Sequence, residues 1–246
     1  MYLPIVVFLL SVVFLSNGLA TYLDYRMIVQ ITQAIAVVAI LTLYYTKLNA
    51  MANIFLTVFL LFFMGDIFSV FKLDRFSGEL AEIFYMGGYL LLVFVLFGKL
   101  KRIRYEGLVS IYLVCVLLLN VYLLYVFYDA VKESLADVNL ALFIAHGIIL
   151  IVMSFFAFAV YLSNETTQSI VFLIMVFGFV FSDVLNYICK LYVYHWAFEF
   201  FGNMLYLASL GLYYVYVYNH HKIVKIKPHR TISEDFVIRE GKRLTA

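Results

Sequence analysis

Apolar runs about 20 residues long recur along this chain, and a helix of that length crosses about 30 Å of hydrocarbon. Few folds are open to such a sequence. With 66% apolar residues and a mean hydropathy of +1.02, 246 residues carry too little polar surface to coat a water-soluble domain. The expected fold is an all-α integral membrane protein. Its eight transmembrane helices, in one bundle, lie near 3–22, 27–46, 50–71, 79–97, 107–128, 139–162, 170–190 and 196–218. Short polar connections make sequential helices antiparallel neighbours. The first run has no basic n-region and no small-residue cleavage site, so it reads as a retained helix. Residues 1–218 form the transmembrane domain and residues 219–246 a basic tail, in which Pro228 is expected to stop any helical continuation.

Lysine and arginine set the orientation. An even number of spans puts both termini on one side, together with Lys47, Lys99, Lys101, Arg102, Arg104 and the basic residues of the tail. The other side carries only Arg26, Lys72, Arg75, Lys132 and Lys190. The positive-inside rule then makes both termini cytoplasmic, and the simple architecture fits a bacterial inner membrane. Cys115 and Cys189 both fall within apolar runs and read as small packing residues rather than a disulfide or a metal site. No zinc spacing, Walker motif, dinucleotide fingerprint or nucleophile elbow is present, and nothing points to a nucleic-acid partner.

Two aspartates interrupt this lipid-compatible sequence. Asp66 follows Phe62-Phe-Met-Gly, and Asp183 follows Val180-Phe-Ser. A carboxylate deep in a bilayer costs on the order of 2.5–3.5 kcal/mol on insertion scales, so two of them in a chain with 13% charged residues point to a task inside the membrane. The plain alternative is a protonated carboxyl hydrogen-bonded between helices. Each aspartate is preceded by a small residue that admits a close neighbouring helix. The two helices run the same way, four helices apart, which hints at a 4+4 parallel pseudo-repeat.

The remaining buried polar residues converge on the half of the membrane away from the termini. Asp66 precedes Lys72 by six residues and Asp183 precedes Lys190 by seven, so both acids sit roughly 9–10 Å below that surface at about 1.5 Å per residue. Asp183, Asn186 and Lys190 share one helix face, and Glu199, Asn203, Tyr206 and Tyr213 form a stripe on the last helix. Glu79, Glu82 and Tyr89 on the fourth helix, Gln30 and Gln33 on the second and His146 on the sixth join them. Lipid offers such groups no partners, so a polar pocket opening to the outer leaflet is expected. Each member also has a structural reading. Glu79 and Glu199 suit the helix dipole, Lys190 can snorkel, and a single histidine is commonly a packing residue. The 21 tyrosines and 25 phenylalanines read mainly as core and interfacial-belt residues.

Gly65-Asp66 on the third helix and Ser182-Asp183…Lys190 on the seventh resemble the YhhN/TMEM86 family of eight-helix lysoplasmalogenases. Gly78, Tyr89, Met153 and Tyr206 extend the resemblance, which covers roughly 54–218. The chain departs from the family in helix four, where Met86-Gly-Gly88 stands in place of a histidine. The resemblance implies hydrolysis of the vinyl-ether bond of a lysoplasmalogen, a lysophospholipid drawn from membrane lipid, to a fatty aldehyde and a glycerophospho-alcohol. It implies no cofactor and no metal. Vinyl-ether opening needs a proton donor at the β-carbon and a carboxylate to stabilise the oxocarbenium ion, the logic of a two-carboxylate glycosidase. Asp66 and Asp183 are the expected acid/base pair. Lys190, Asn186, Asn203, Tyr206, Glu82, Tyr89 and His146 are the expected substrate-binding residues. Two other readings stand beside this one: a proton-coupled or lipid transporter, and a non-catalytic lipid-binding protein of the same fold.

Overall fold

In a computed structural model the chain is all-helical. Its eight helices are α1 (Leu3–Tyr22), α2 (Arg26–Lys47), α3 (Asn53–Val70), α4 (Arg75–Leu100), α5 (Gly107–Val131), α6 (Asp137–Ser163), α7 (Thr167–Leu191) and α8 (Trp196–Arg243). The structure describes residues 3–23, 25–47, 53–70, 75–100, 107–133, 137–163, 166–191 and 194–243. Five of the helices are long and apolar enough to cross a membrane, in the stretches Phe76–Gly98, Ile111–Val131, Val138–Ser163, Thr167–Lys190 and Trp196–Asn219. The apolar stretches of α2 and α3, Met27–Leu43 and Ile54–Val70, are shorter. The protein is therefore built as an integral membrane protein, its apolar side chains turned outward as well as inward.

The expected stop at Pro228 is corrected: α8 continues from the bilayer-length segment through the proline to Arg243. A proline removes one backbone donor and crowds the carbonyl a turn earlier, at about 3 kcal/mol. Between Gly211 and Gly241 the ladder around the proline holds no glycine and is rich in lysine, arginine, glutamate and isoleucine, so helix persists across the single missing bond. The basic residues that set the orientation fall largely outside the described side chains. Lys72, Lys101, Arg102 and Arg104 lie outside the described residues altogether.

Seven helices close into a ring, in the order α1, α2, α3, α4, α6, α7, α8 and back to α1, with α2 also touching α8. α5 packs on α6 from outside this ring. It is largely apolar, with Leu118 63% and Tyr125 62% exposed, and its Asn120 donates within the helix to the Val116 carbonyl. The core runs down the centre of the ring. α3 contributes Phe55, Val58, Phe59 and Phe62, and α7 contributes Phe172, Met175, Val176 and Phe179. Both sets follow the i, i+3, i+4, i+7 spacing of one helix face, and each leads one turn later to an aspartate. Phe62 and Phe179 stack on each other, ring centroids 5.2 Å apart.

Small residues let the helices approach at this level. A Cβ on Gly88 would lie 2.9 Å from the Phe62 ring, and one on Gly178 would lie 2.0 Å from Ser209 Oγ. A second, uncharged polar group ties α1, α2 and α8 together. Asn17 Nδ2 donates to the Val29 carbonyl at 3.1 Å and to Thr32 Oγ1 at 2.9 Å. Gln33 Nε2 donates to Asn203 Oδ1 at 2.9 Å, and Asn203 Nδ2 reaches Thr21 Oγ1 at 3.5 Å.

Candidate active site

Helix α4 supplies Glu82, Tyr85 and Tyr89 at i, i+3 and i+7, one face of a helix. Helix α7 supplies Asp183, Tyr187 and Lys190 at i, i+4 and i+7 on the face that meets α4 and α6. α6 places His146 between them. Its Nε2 lies 3.1 Å from Asp183 Oδ2, and its Nδ1 lies 3.8 Å from Glu82 Oε1. One imidazole thus faces a carboxylate with each ring nitrogen. The Tyr187 hydroxyl donates to Glu82 Oε1 and sits 3.4 Å from His146 Nδ1, spanning the longer gap. The Tyr89 phenol stands beside Asp183, and its ring lies 5.5 Å from the imidazole. His146 is 5% exposed at its side chain, whereas Asp183 keeps 16% and Glu82 18%, so the carboxylates form the open edge of the cluster.

Asp66 is set apart from this group. It is wholly buried, and its carboxylate accepts from Tyr85 at 2.7 Å and from Tyr206 at 3.1 and 3.2 Å. Tyr85 can reach it because residue 65 is glycine: a Cβ there would lie 2.7 Å from the Tyr85 ring. Ser69 Oγ donates to the Asp66 backbone carbonyl at 2.8 Å, completing the local bonding. No hydrogen bond joins the two aspartates. They communicate through Tyr85, which bonds Asp66 and feels the charge of Asp183, and through the rings of Tyr89 and Tyr206 packed on Phe179. Of the two carboxylates, Asp183 is partly exposed and Asp66 is fully buried.

The other expected residues divide. Glu82, Tyr89, His146 and Tyr206 join the two aspartates. Lys190 is exposed at the end of α7, with Nζ 5.8 Å from the centroid of the Tyr187 ring, and it acts on Glu82 through charge. Asn186 packs across Gly202, its Oδ1 2.9 Å from where a Cβ would stand. Asn203 turns to the α1–α2 side and belongs to the uncharged group described above. Glu199 has a buried Oε2 without a hydrogen-bond partner. Tyr85 and Tyr187 are the residues that sequence reasoning missed. Their spacing from Glu82 and Asp183 was the available signal, hidden among the chain's many tyrosines. Among the described residues no group of three or more His, Cys, Asp or Glu side chains is arranged to hold a metal ion.

The assembly is suited to proton chemistry: a histidine between two partly open carboxylates, beside a sealed carboxylate held by two phenols. Comparison with protein-family models, with characterised proteins and with solved structures finds no match to this chain.

Proposed function

We propose that this protein is a membrane-embedded hydrolase that opens the vinyl-ether bond of lysoplasmalogens, with Asp66 and Asp183 as its acid/base pair. The observation that carries this reading is the hydrogen bond of the partly exposed Asp183 to His146 at 3.1 Å, within a bundle otherwise filled with apolar side chains. A carboxyl group placed there can protonate the β-carbon of the vinyl ether. The resulting oxocarbenium ion is captured by water, and the hemiacetal collapses to aldehyde and glycerophospho-alcohol. Asp66 supplies a second carboxylate a short distance behind Tyr85, where negative charge favours the cation.

Substrate dimensions agree with this placement. Seven covalent bonds of about 1.5 Å separate phosphorus from the β-carbon, which limits the separation to roughly 9 Å. Lys190 lies two turns above Asp183 on the same helix, a rise of roughly 10 Å. A phosphate at the Lys190 ammonium therefore brings the vinyl ether to the level of Asp183. In this reading all eight helices span the membrane and both termini are cytoplasmic. The membrane is a bacterial inner membrane, and the site opens to the outer leaflet.

The 4+4 arrangement belongs to the same proposal. α2–α4 and α6–α8 are two copies of one unit placed in parallel. Phe55, Phe62, Asp66, Glu82 and Tyr89 recur, at one constant interval, as Phe172, Phe179, Asp183, Glu199 and Tyr206. Ring neighbours recur too: α2 on α3 as α6 on α7, and α3 on α4 as α7 on α8.

That duplication also favours a second reading, a proton-coupled transporter in which the units rock about the Phe62–Phe179 stack. The two are separated by one pair of measurements. Purified protein in detergent, given a 1-alkenyl lysophospholipid, releases fatty aldehyde if it is the hydrolase. Substrate-driven pH change in proteoliposomes without aldehyde is the result that favours transport and overturns the hydrolase.

A further inference from the structure

We infer that Glu82, Tyr187 and His146 form a one-sided proton relay that recharges Asp183 from the outer surface. This makes Asp183 the proton donor of the pair and leaves Asp66 unconnected to solvent. The relay stands on the geometry alone; the name of the reaction it serves rests on the hydrolase reading above.

Each aspartate meets the tyrosine of the other copy: Tyr206 donates to Asp66, and Tyr89 stands beside Asp183. Tyr89 and Tyr206 are counterparts, as are the two aspartates, so one framework is built twice with its strands of contact exchanged. The glutamates are counterparts as well. In one place Glu82 and Asp183 flank His146. The sequence counterparts of these two carboxylates are Glu199 and Asp66, and the counterpart of His146 is Val29, a buried side chain that carries no proton. The counterpart of Tyr187 is Val70. Glu199 keeps an Oε2 with no hydrogen-bond partner, whereas Glu82 receives the Tyr187 hydroxyl. Of two equivalent carboxylate pairs, only one is linked.

The linked pair has the parts and the order that proton transfer needs. Glu82, 18% exposed, takes a proton from outer water and becomes a carboxyl group. That proton passes to Tyr187 as the Tyr187 hydroxyl proton passes to His146 Nδ1. The imidazole in turn gives its Nε2 proton to Asp183 Oδ2 across 3.1 Å. Glu82 is again a carboxylate, Tyr187 again a phenol and Asp183 a carboxyl group. The imidazole is left with its proton on Nδ1, and the starting tautomer returns when a later proton passes from Asp183 to Nε2 as the Nδ1 proton leaves through Tyr187 to Glu82 and water. One proton has moved from the surface to Asp183, and no other species is consumed. Asp66 has no such neighbour. Its side-chain donors are the half-buried Tyr85 and the buried Tyr206, and neither hydroxyl hydrogen-bonds to an imidazole or a second carboxylate.

The test follows the Asp183 carboxyl directly, without any lipid substrate. Wild-type protein in liposomes is subjected to an external pH drop, and the carboxyl stretching band that disappears in Asp183→Asn is timed by infrared difference spectroscopy. Glu82→Gln and His146→Ala are expected to slow its appearance at least tenfold. Added imidazole is expected to restore the rate in His146→Ala and not in Glu82→Gln, whereas Glu199→Gln leaves it at the wild-type value. An unchanged rate in Glu82→Gln overturns the relay, and this partly exposed variant decides the matter even where His146→Ala does not fold. Equal slowing by Glu199→Gln also overturns it, since the two pairs would then be alike. Aldehyde release is read in parallel: its absence in a wild-type protein whose Asp183 still protonates through Glu82 refutes the hydrolase and leaves the relay standing.

Discussion

Tyr206 on α8 donates its hydroxyl to both oxygens of Asp66 on α3, at 3.1 and 3.2 Å, in a part of the bundle where neither residue meets solvent. With Tyr85 at 2.7 Å, it gives the aspartate its side-chain partners. Removing one donor from a buried carboxyl group leaves part of its hydrogen-bonding capacity unmet, at about 1–3 kcal/mol. Interhelical bonds in membranes lie toward the lower end of that range. Tyr206→Phe and Tyr85→Phe are each expected to lower stability by about 1–2 kcal/mol, measured by unfolding in mixed micelles. The double variant should lose more than either single one. No loss in either would mean that the pair of phenols does not hold Asp66.

Gly65 tests the same contact from the other side. A methyl group there would lie 2.7 Å from the Tyr85 ring, closer than real Cβ contacts come, and the ring is confined by Phe62 and Tyr206. Gly65→Ala should displace Tyr85 from Asp66 and destabilise the protein by about 1–3 kcal/mol, the usual range for overpacking. In a double-mutant cycle with Tyr85→Phe the effects should fall short of additive, because both remove one bond. Full additivity would place the strain elsewhere.

The eight helices were legible because each needs only one apolar run of sufficient length, a property of the sequence alone. α1 begins and ends where the pattern places it, the ends of α2–α7 move by no more than a few residues, and only α8 runs far past its expected end, to Arg243. The two aspartates were legible for the same reason, as charges where lipid tolerates none. Their partners were not. Whether Asp183 meets His146 or Asp66 depends on how α3, α6 and α7 are rotated against one another, and one sequence with many tyrosines carries no signal for those rotations. Asn203 illustrates the difficulty: it shares a stripe with Tyr206, yet the width of α8 turns it toward Gln33 and Thr21. The continuation of α8 beyond Pro228 was hidden by weighting one missing donor above the ladder around it.

The Asn203 contact has its own consequence. Its amide joins α8 to α2 through Gln33 and to α1 through Thr21, in a region where Asn203 is 5% exposed. Asn203→Ala and Gln33→Ala are each expected to cost about 1 kcal/mol. A double-mutant cycle between them should return a coupling of at least about 0.5 kcal/mol, as for residues in direct contact. Independent effects in that cycle would show that the 2.9 Å bond does not form in the membrane.

The proposed hydrolysis turns on Asp183. Asp183→Asn keeps its size and its capacity to bond His146, so the fold should survive while the transferable proton is lost. General acid catalysis contributes about 10²–10⁴-fold to rate, and a fall in aldehyde release of at least about 10²-fold is expected. Activity within threefold of wild type would remove Asp183 from the reaction.

Lys190 separates binding from chemistry. It stands at the exposed end of α7, above the Tyr187 ring, and in the proposed reaction its ammonium meets the phosphate rather than the reacting carbons. An interaction made equally in ground state and transition state changes KM and leaves kcat alone. Lys190→Ala should therefore raise KM for a lysoplasmalogen about tenfold with kcat within a factor of two, and the gap from wild type should narrow as salt screens the exposed charge. Lys190→Glu should raise KM further, by repulsion. A fall in kcat with unchanged KM would contradict this placement. It would make Lys190 part of the proton path, acting on Glu82 through the charge it already exerts there.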